Sequence, residues 1–160
     1  MAGLSYKLLV IDDSKRDTLL LDRILQQATD ATFSITHKES AQAGLEELSA
    51  QAYDLVILDY YLPDMDGLAF LEEKQKRGLG TPVIMLTAFG QDRLPVAALQ
   101  AGALDYFRKD QVNSSLLGKA IQQAIEKARL QESAMDNAAR MRELEETVAR
   151  LQQQLQQRQG

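Results

Sequence analysis

The sequence predicts an α/β fold, a doubly wound (βα)₅ parallel sheet continued by an extended C-terminal helix. Three observations predict it. Short apolar runs rich in β-branched residues recur along the chain up to Phe107, as buried parallel strands require. Segments with helical apolar spacing and helix-start residues separate them. The links between the two kinds of segment are short, which forces parallel strands joined by right-handed helical crossovers.

In chain order, Tyr6–Ile11 is the first strand. Ser14 caps the helix that follows, with Asp17 three residues on to favour its positive end and Leu20, Ile24 and Leu25 on one face. Phe33–His37 is the second strand, and Ser40 caps a helix whose Ala43, Leu45 and Leu48 point inward. Leu55–Leu58 is the third strand, followed by a helix over Gly67–Lys76 that Gly78 and Gly80 end. Val83–Leu86 is the fourth; Pro95 fits the first turn of the next helix, which closes at Gly102. Asp105–Phe107 is the fifth. Asn113 or Ser114 opens the last helix, with Leu116, Leu117, Ile121 and Ile125 facing the sheet at 3.6-residue spacing.

Composition bounds what such a chain can do. Its 160 residues are 45% hydrophobic and 26% charged, enough for one globular domain with a segment left over. A net charge of −5 advertises no nucleic-acid surface, and no basic recognition helix is present, so direct nucleic-acid binding is not expected. The absence of cysteine excludes disulfides, thiolate metal sites and thiol nucleophiles. No segment approaches the roughly 20 apolar residues that span a bilayer, so no membrane association and a soluble cytoplasmic protein are expected. All prolines and all Phe and Tyr residues fall before residue 131, and Gln, Glu, Arg, Ala and Leu dominate after it. That shift divides the chain into a compact domain over 1–129 and a helical extension over 130–160.

In doubly wound sheets chemistry gathers at the carboxyl ends of the strands, where the strand order reverses. The residues at those ends are Asp12, Asp13, Asp59, Thr87 and Lys109. Carboxylates converging there repel; at about 4 Å and an effective dielectric near 20, one pair costs roughly 4 kcal/mol. Such a site raises its pKa values or holds a cation. Oxygen ligands with open positions suit Mg²⁺, which keeps waters and shares its shell with phosphate oxygens. With the Lys109 ammonium opposite and the Thr87 hydroxyl as donor, the set suits phosphoryl transfer to oxygen. His37, the single histidine, reads as an ordinary strand-end residue, so a phosphoryl donor must come from another molecule. Asp64-Met65-Asp66-Gly67 superficially matches the Asp-x-Asp of haloacid-dehalogenase-type phosphatases. There the first Asp ends a strand, a place held here by Asp59.

Several separated motifs resemble the receiver domains of bacterial response regulators, over about Lys7 to Arg129. They are Leu8-Leu9-Val10-Ile11-Asp12-Asp13-Ser14, Asp54-Leu55-Val56-Ile57-Leu58-Asp59 with Leu62-Pro63-Asp64-Met65-Asp66-Gly67, Pro82-Val83-Ile84-Met85-Leu86-Thr87-Ala88, and Ala101-Gly102-Ala103-Leu104-Asp105-Tyr106-Phe107-Arg108-Lys109. The resemblance implies the flavodoxin-like strand order 2-1-3-4-5. It implies that Asp59 accepts phosphate from a histidine kinase or phosphotransfer protein, the chain catalysing only its own phosphorylation and dephosphorylation. It further implies that Asp13, Asp59 and the carbonyl of Tyr61 ligate Mg²⁺, with Asp12 acting through water. Thr87 and Lys109 would contact the phosphoryl oxygens, and Tyr106 would be the aromatic switch that follows Thr87. Tyr61 and Phe89 would flank the path of hydrolytic water. One departure stands out: the family usually has proline after the lysine, often in a cis bond, and this chain has Asp110. A cis non-proline bond costs about 2.5–4 kcal/mol, so a trans link is expected.

Beyond the domain a heptad emerges: Leu130, Ala134, Asn137, Met141, Leu144, Val148, Leu151 and Leu155 alternate in spacings of four and three. With Met141, Val148 and Leu155 at a and Leu144 and Leu151 at d, a parallel two-stranded homodimer is favoured. Arg140 at g can meet Glu145 at e of the other chain. Asn137 at d is a soft spot in the seam. A chain that stops within a heptad repeat, with no output domain behind it, reads as the front of a longer protein. The competing reading is a dimeric adaptor whose fold serves only as a protein-binding platform. An intact Asp12, Asp13, Asp59, Thr87 and Lys109 set argues against it.

Overall fold

The computed structural model describes residues 3–28, 30–88 and 94–159; Phe89 lies outside them. Its elements are β1 (Leu4–Ile11), α1 (Lys15–Gln26), β2 (Ala31–Lys38), α2 (Ala41–Ala50), β3 (Leu55–Leu58), α3 (Gly67–Lys76), β4 (Val83–Thr87), α4 (Leu94–Gln100), β5 (Asp105–Arg108) and α5 (Ser114–Arg158), with a 3₁₀ turn over Lys109–Gln111. The strands form one parallel sheet in the order β2-β1-β3-β4-β5. Fold class and strand order are those the sequence predicts. Strands run further than predicted, by two residues at the starts of β1 and β2 and by one at the ends of β2, β4 and β5. Main-chain pairing with the neighbouring strand extends past the apolar run that is visible in sequence.

Two cores follow from the period-2 alternation of the strands. Leu8, Val10, Leu55, Ile57, Ile84 and Leu86 meet α1 and the first turns of α5. Leu9, Ile11, Val56, Leu58, Val83 and Met85 meet α2, α3 and α4. β3 and β4 are buried throughout, which is why their sequences read as unbroken apolar runs.

The caps expected at Ser14 and Ser40 form, and Asp66, not singled out as a cap in the sequence, caps α3. Ser14 Oγ accepts from the Asp17 N–H, Ser40 Oγ from the Ala43 N–H and Asp66 Oδ1 from the Ala69 N–H. The Asn113 side chain accepts from the Leu116 N–H, so Asn113 caps α5 and Ser114 is its first residue. Two inward assignments shift by one position, and a third, Leu116, drops out. Leu21, not Leu20, joins Leu25 in the core, and Leu20 stays 47% exposed. Leu116 is 43% exposed while Leu117 and Ile121 are fully buried. In α2 it is Gly44 rather than Ala43 that meets the sheet, because a Cβ there would collide with the Ile11 side chain. A helix face is broader than the sheet groove it fills, and residues at its edge go either way.

The chain separates into two compact units, Met1–Ile125 and Glu126–Gly160. In the second, Leu130, Met141, Leu144, Val148, Leu151 and Leu155 are all more than half exposed.

Candidate functional site

Backbone pairing delivers the acidic residues to one edge of the sheet. The Asp59 N–H donates to the Ile11 carbonyl at 3.0 Å, and the Asp12 N–H to the Lys38 carbonyl at 3.0 Å. The ends of β1, β2 and β3 are thereby locked in step. Asp12, Asp13 and Asp59 each bring a carboxylate oxygen within 4.8 Å of the others, with Asp12 and Asp59 buried and Asp13 exposed. Asp12 Oδ1 is held by the Ser14 N–H at 2.9 Å, which fixes the carboxylate plane. Asp59 Oδ1 accepts from the Tyr61 N–H at 3.4 Å, folding the following loop back over the acceptor.

That loop is braced from both sides. The Gly67 N–H donates to the Tyr60 carbonyl at 2.7 Å, and a Cβ on Gly67 would lie 3.1 Å from Tyr60 Cα and 2.9 Å from the movable Met85 Cε, so a larger residue there would crowd this approach. Asp64 reaches to α2, accepting from the N–H groups of Ala41 at 2.9 Å and Gln42 at 2.8 Å. Burial raises its pKa, but those donors outweigh burial and hold it below the usual carboxylate value. Asp64 is thus a helix cap, which gives physical content to its rejection as a catalytic carboxylate.

Lys109, at the start of the 3₁₀ turn after β5, closes the site. Its Nζ donates to Asp12 Oδ2 at 2.6 Å, Asp17 Oδ2 at 2.8 Å and Asp59 Oδ2 at 3.3 Å. Burial pushes Asp59 up to about 6; Lys109 opposes that and Asp12 adds to it. Burial opposes the charge on Lys109, but its carboxylate partners overcome it and raise the pKa. Three carboxylates share one ammonium and Asp13 stands beside them as a fourth, a surplus of negative charge in a partly dry setting. That surplus, together with oxygen-only donors, fits a hard divalent cation such as Mg²⁺. Asp13, Asp17, Asp59, Tyr61, Ala88 and Lys109 line a cleft of about 360 Å³ over the cluster. Asp17 is the member that sequence reasoning missed, having assigned it to the helix end alone. Its place five residues after Asp12, in the first turn of α1, was the available signal.

Thr87 ends β4, fully buried, and its hydroxyl finds no hydrogen-bond partner among the described residues. The Tyr106 hydroxyl on β5 is likewise buried without a partner there. The two stand on paired strands, Met85 being opposite Tyr106 and Thr87 opposite Arg108. No hydrogen bond joins either hydroxyl to the acidic cluster. The Lys109–Asp110 bond is trans, as expected without proline. His37 pairs with Asp22 at 3.0 Å, away from the cluster.

A family model described as the response regulator receiver domain matches residues 8–122. The transcriptional regulatory protein GlrR of Escherichia coli is 37% identical over 121 residues, which cover 76% of this chain and 26% of GlrR. The probable transcriptional regulatory protein SilR of Salmonella typhimurium is 34% identical over 113 residues, 71% of this chain and 48% of SilR. The chain therefore spans between a quarter and half of the length of these relatives. A solved response regulator receiver domain protein from Clostridium thermocellum superposes with a TM-score of 0.68 at 29% identity, covering 78% of this chain and 98% of that one.

Proposed function

This chain belongs to the response regulator receiver domain family of two-component signalling, and from that premise we propose that Asp59 is its phosphoacceptor. The observation that carries the proposal is the gathering of the Asp12, Asp13 and Asp59 carboxylates within 4.8 Å beside the Lys109 ammonium. An oxygen of Asp59 attacks the phosphorus of a phosphohistidine on a partner histidine kinase or phosphotransfer protein. The phosphorus–nitrogen bond breaks, and its electron pair leaves on the imidazole. Mg²⁺ held by Asp13, Asp59 and the Tyr61 carbonyl, with Asp12 behind a water, would neutralise charge on the transferring group. Lys109 sets a fixed positive charge at Asp59 Oδ2. The unpartnered hydroxyl of Thr87 is a donor free to take a phosphoryl oxygen, and Tyr106 on the adjoining strand is placed to respond.

On this reading residues 1–129 are the receiver and 130–160 a parallel two-stranded coiled coil through which the state of Asp59 is passed on. The exposed seam of Met141, Leu144, Val148, Leu151 and Leu155 supports it, since a lone helix of this kind is marginal in water. The receiver works by protein contacts, turns over no external substrate and binds no nucleic acid directly; its net charge of −5 supports that. Among the described residues no helix is long and apolar enough to cross a membrane, and a cytoplasmic setting follows from partnership with a kinase. The test is incubation of the full chain with acetyl phosphate and Mg²⁺, read by intact mass. One phosphoryl increment in the wild type and none in Asp59→Asn is the expected result; an unmodified wild type sinks the proposal.

A further inference from the structure

Lys109 spends all three ammonium N–H donors on carboxylates, at 2.6 Å to Asp12, 2.8 Å to Asp17 and 3.3 Å to Asp59. Two of those acceptors have other duties under the proposed function: Asp12 belongs to the surroundings of the cation, and Asp59 becomes the acyl phosphate. Asp17 has neither duty. Its carboxylate is not among the three that gather for a cation, and it reaches Lys109 from the first turn of α1.

A second, independent feature shows why the lysine needs such a partner. Asp17, Asp59 and Lys109 line not only the surface cleft of about 360 Å³ but also an apolar cavity of about 140 Å³ walled by Leu20, Leu21, Ile24 and Leu86. The lysine stands between two open volumes. Packing alone does not fix a side chain with space on both sides, even one only 15% exposed, and a lysine stem has much rotamer freedom to lose. What fixes this ammonium is its ion pairs.

We propose that Asp17 is a positioning residue for phosphoryl transfer, holding the Lys109 ammonium beside Asp59 when Asp12 turns to the cation. The inference rests on Asp59 being the phosphoacceptor. Asp17 also donates its main-chain N–H to Ser14 Oγ at 3.3 Å, a cap that every substitution but proline retains. Asp17→Asn therefore removes the charge and leaves the helix start in place.

The experiment compares wild type, Asp17→Asn and Asp17→Glu as full chains at saturating Mg²⁺ and acetyl phosphate, with Mg²⁺ affinity measured separately. Asp17→Asn is expected to slow phosphorylation about tenfold through loss of lysine placement, while Asp17→Glu recovers most of the rate. The nitrogen-15 signal of the Lys109 ammonium, sharp in the wild type, broadens in Asp17→Asn, which a merely structural role for Asp17 would not produce. Labelling of Asp17→Asn at the wild-type rate with saturating Mg²⁺ overturns this inference alone. A wild type that takes up no phosphate overturns the proposed function, and this inference with it.

Discussion

Lys109 Nζ lies 2.6 Å from Asp12 Oδ2, joining residues 97 positions apart in the chain. β5 stands three strands from β1 in the sheet, so the contact depends on every intervening pairing. It marks the place where folding of the whole sheet is needed to assemble the site. The same contact neutralises one of the carboxylates that would otherwise face a cation, leaving exposed Asp13 as the member most open to solvent.

Asp13→Asn is accordingly expected to weaken Mg²⁺ binding by at least about tenfold, because it deletes a ligand and lowers the attracting field together. Phosphorylation by acetyl phosphate should fall in parallel. Calorimetric Mg²⁺ titration of the two proteins is the check, and equal affinities would remove Asp13 from the ligand set.

Strand cores and the strand-end residues were legible because both follow from short-range pattern: unbroken apolar runs, then Asp12-Asp13, Asp59, Thr87 and Lys109 at the same ends. Two things were not. The Asp17 carboxylate looked like a helix-end charge, and only the curl of the chain after β5 brings Lys109 to it, 92 residues away. Asp64 was legible only as a member of the motif after Asp59, because its partners on α2 lie 22 and 23 residues back. Polar contacts between loops carry no periodicity, so sequence pattern cannot announce them.

Asp64 offers a stability prediction. It accepts two N–H groups that no main-chain carbonyl can satisfy at the start of α2. Asp64→Ala should cost about 1–2 kcal/mol in urea unfolding, as lost caps do, and Asp64→Asn less. An unchanged midpoint for the alanine variant would mean that Ser40 alone caps the helix.

The helical extension makes a prediction about assembly. Each large apolar side chain of the seam contributes roughly 1.5–3 kcal/mol when fully buried, so the full chain should sediment as a dimer at micromolar concentration. A chain ending at Arg129 should be monomeric, still folded and still phosphorylated. Sedimentation equilibrium separates these outcomes, and a monomeric full chain at tens of micromolar would remove the coil from the proposal.

The acidic cluster should itself be a source of instability, with a sign fixed by Asp59. Burial, reinforced by Asp12, lifts its pKa to about 6 from an ordinary 3.8, and Lys109 only partly offsets that. Between those values the folded chain holds a proton that the unfolded chain has released. Stability from this group is therefore complete below about pH 4 and is lost as pH rises through 6. A shift of two units corresponds to roughly 3 kcal/mol. Asp59→Asn removes the ionisation while keeping the shape of the side chain. In Mg²⁺-free buffer the variant should be more stable than the wild type at pH 8, by an amount of that order, and the gap should close near pH 4. Adding Mg²⁺ at pH 8 should stabilise the wild type and barely affect the variant, because only the wild type binds the cation well. Urea midpoints across pH, with and without Mg²⁺, read all of this at once. A variant less stable than the wild type at pH 8 would show that the Lys109 pairing outweighs burial, and that Asp59 is held as a comfortable carboxylate before any cation arrives.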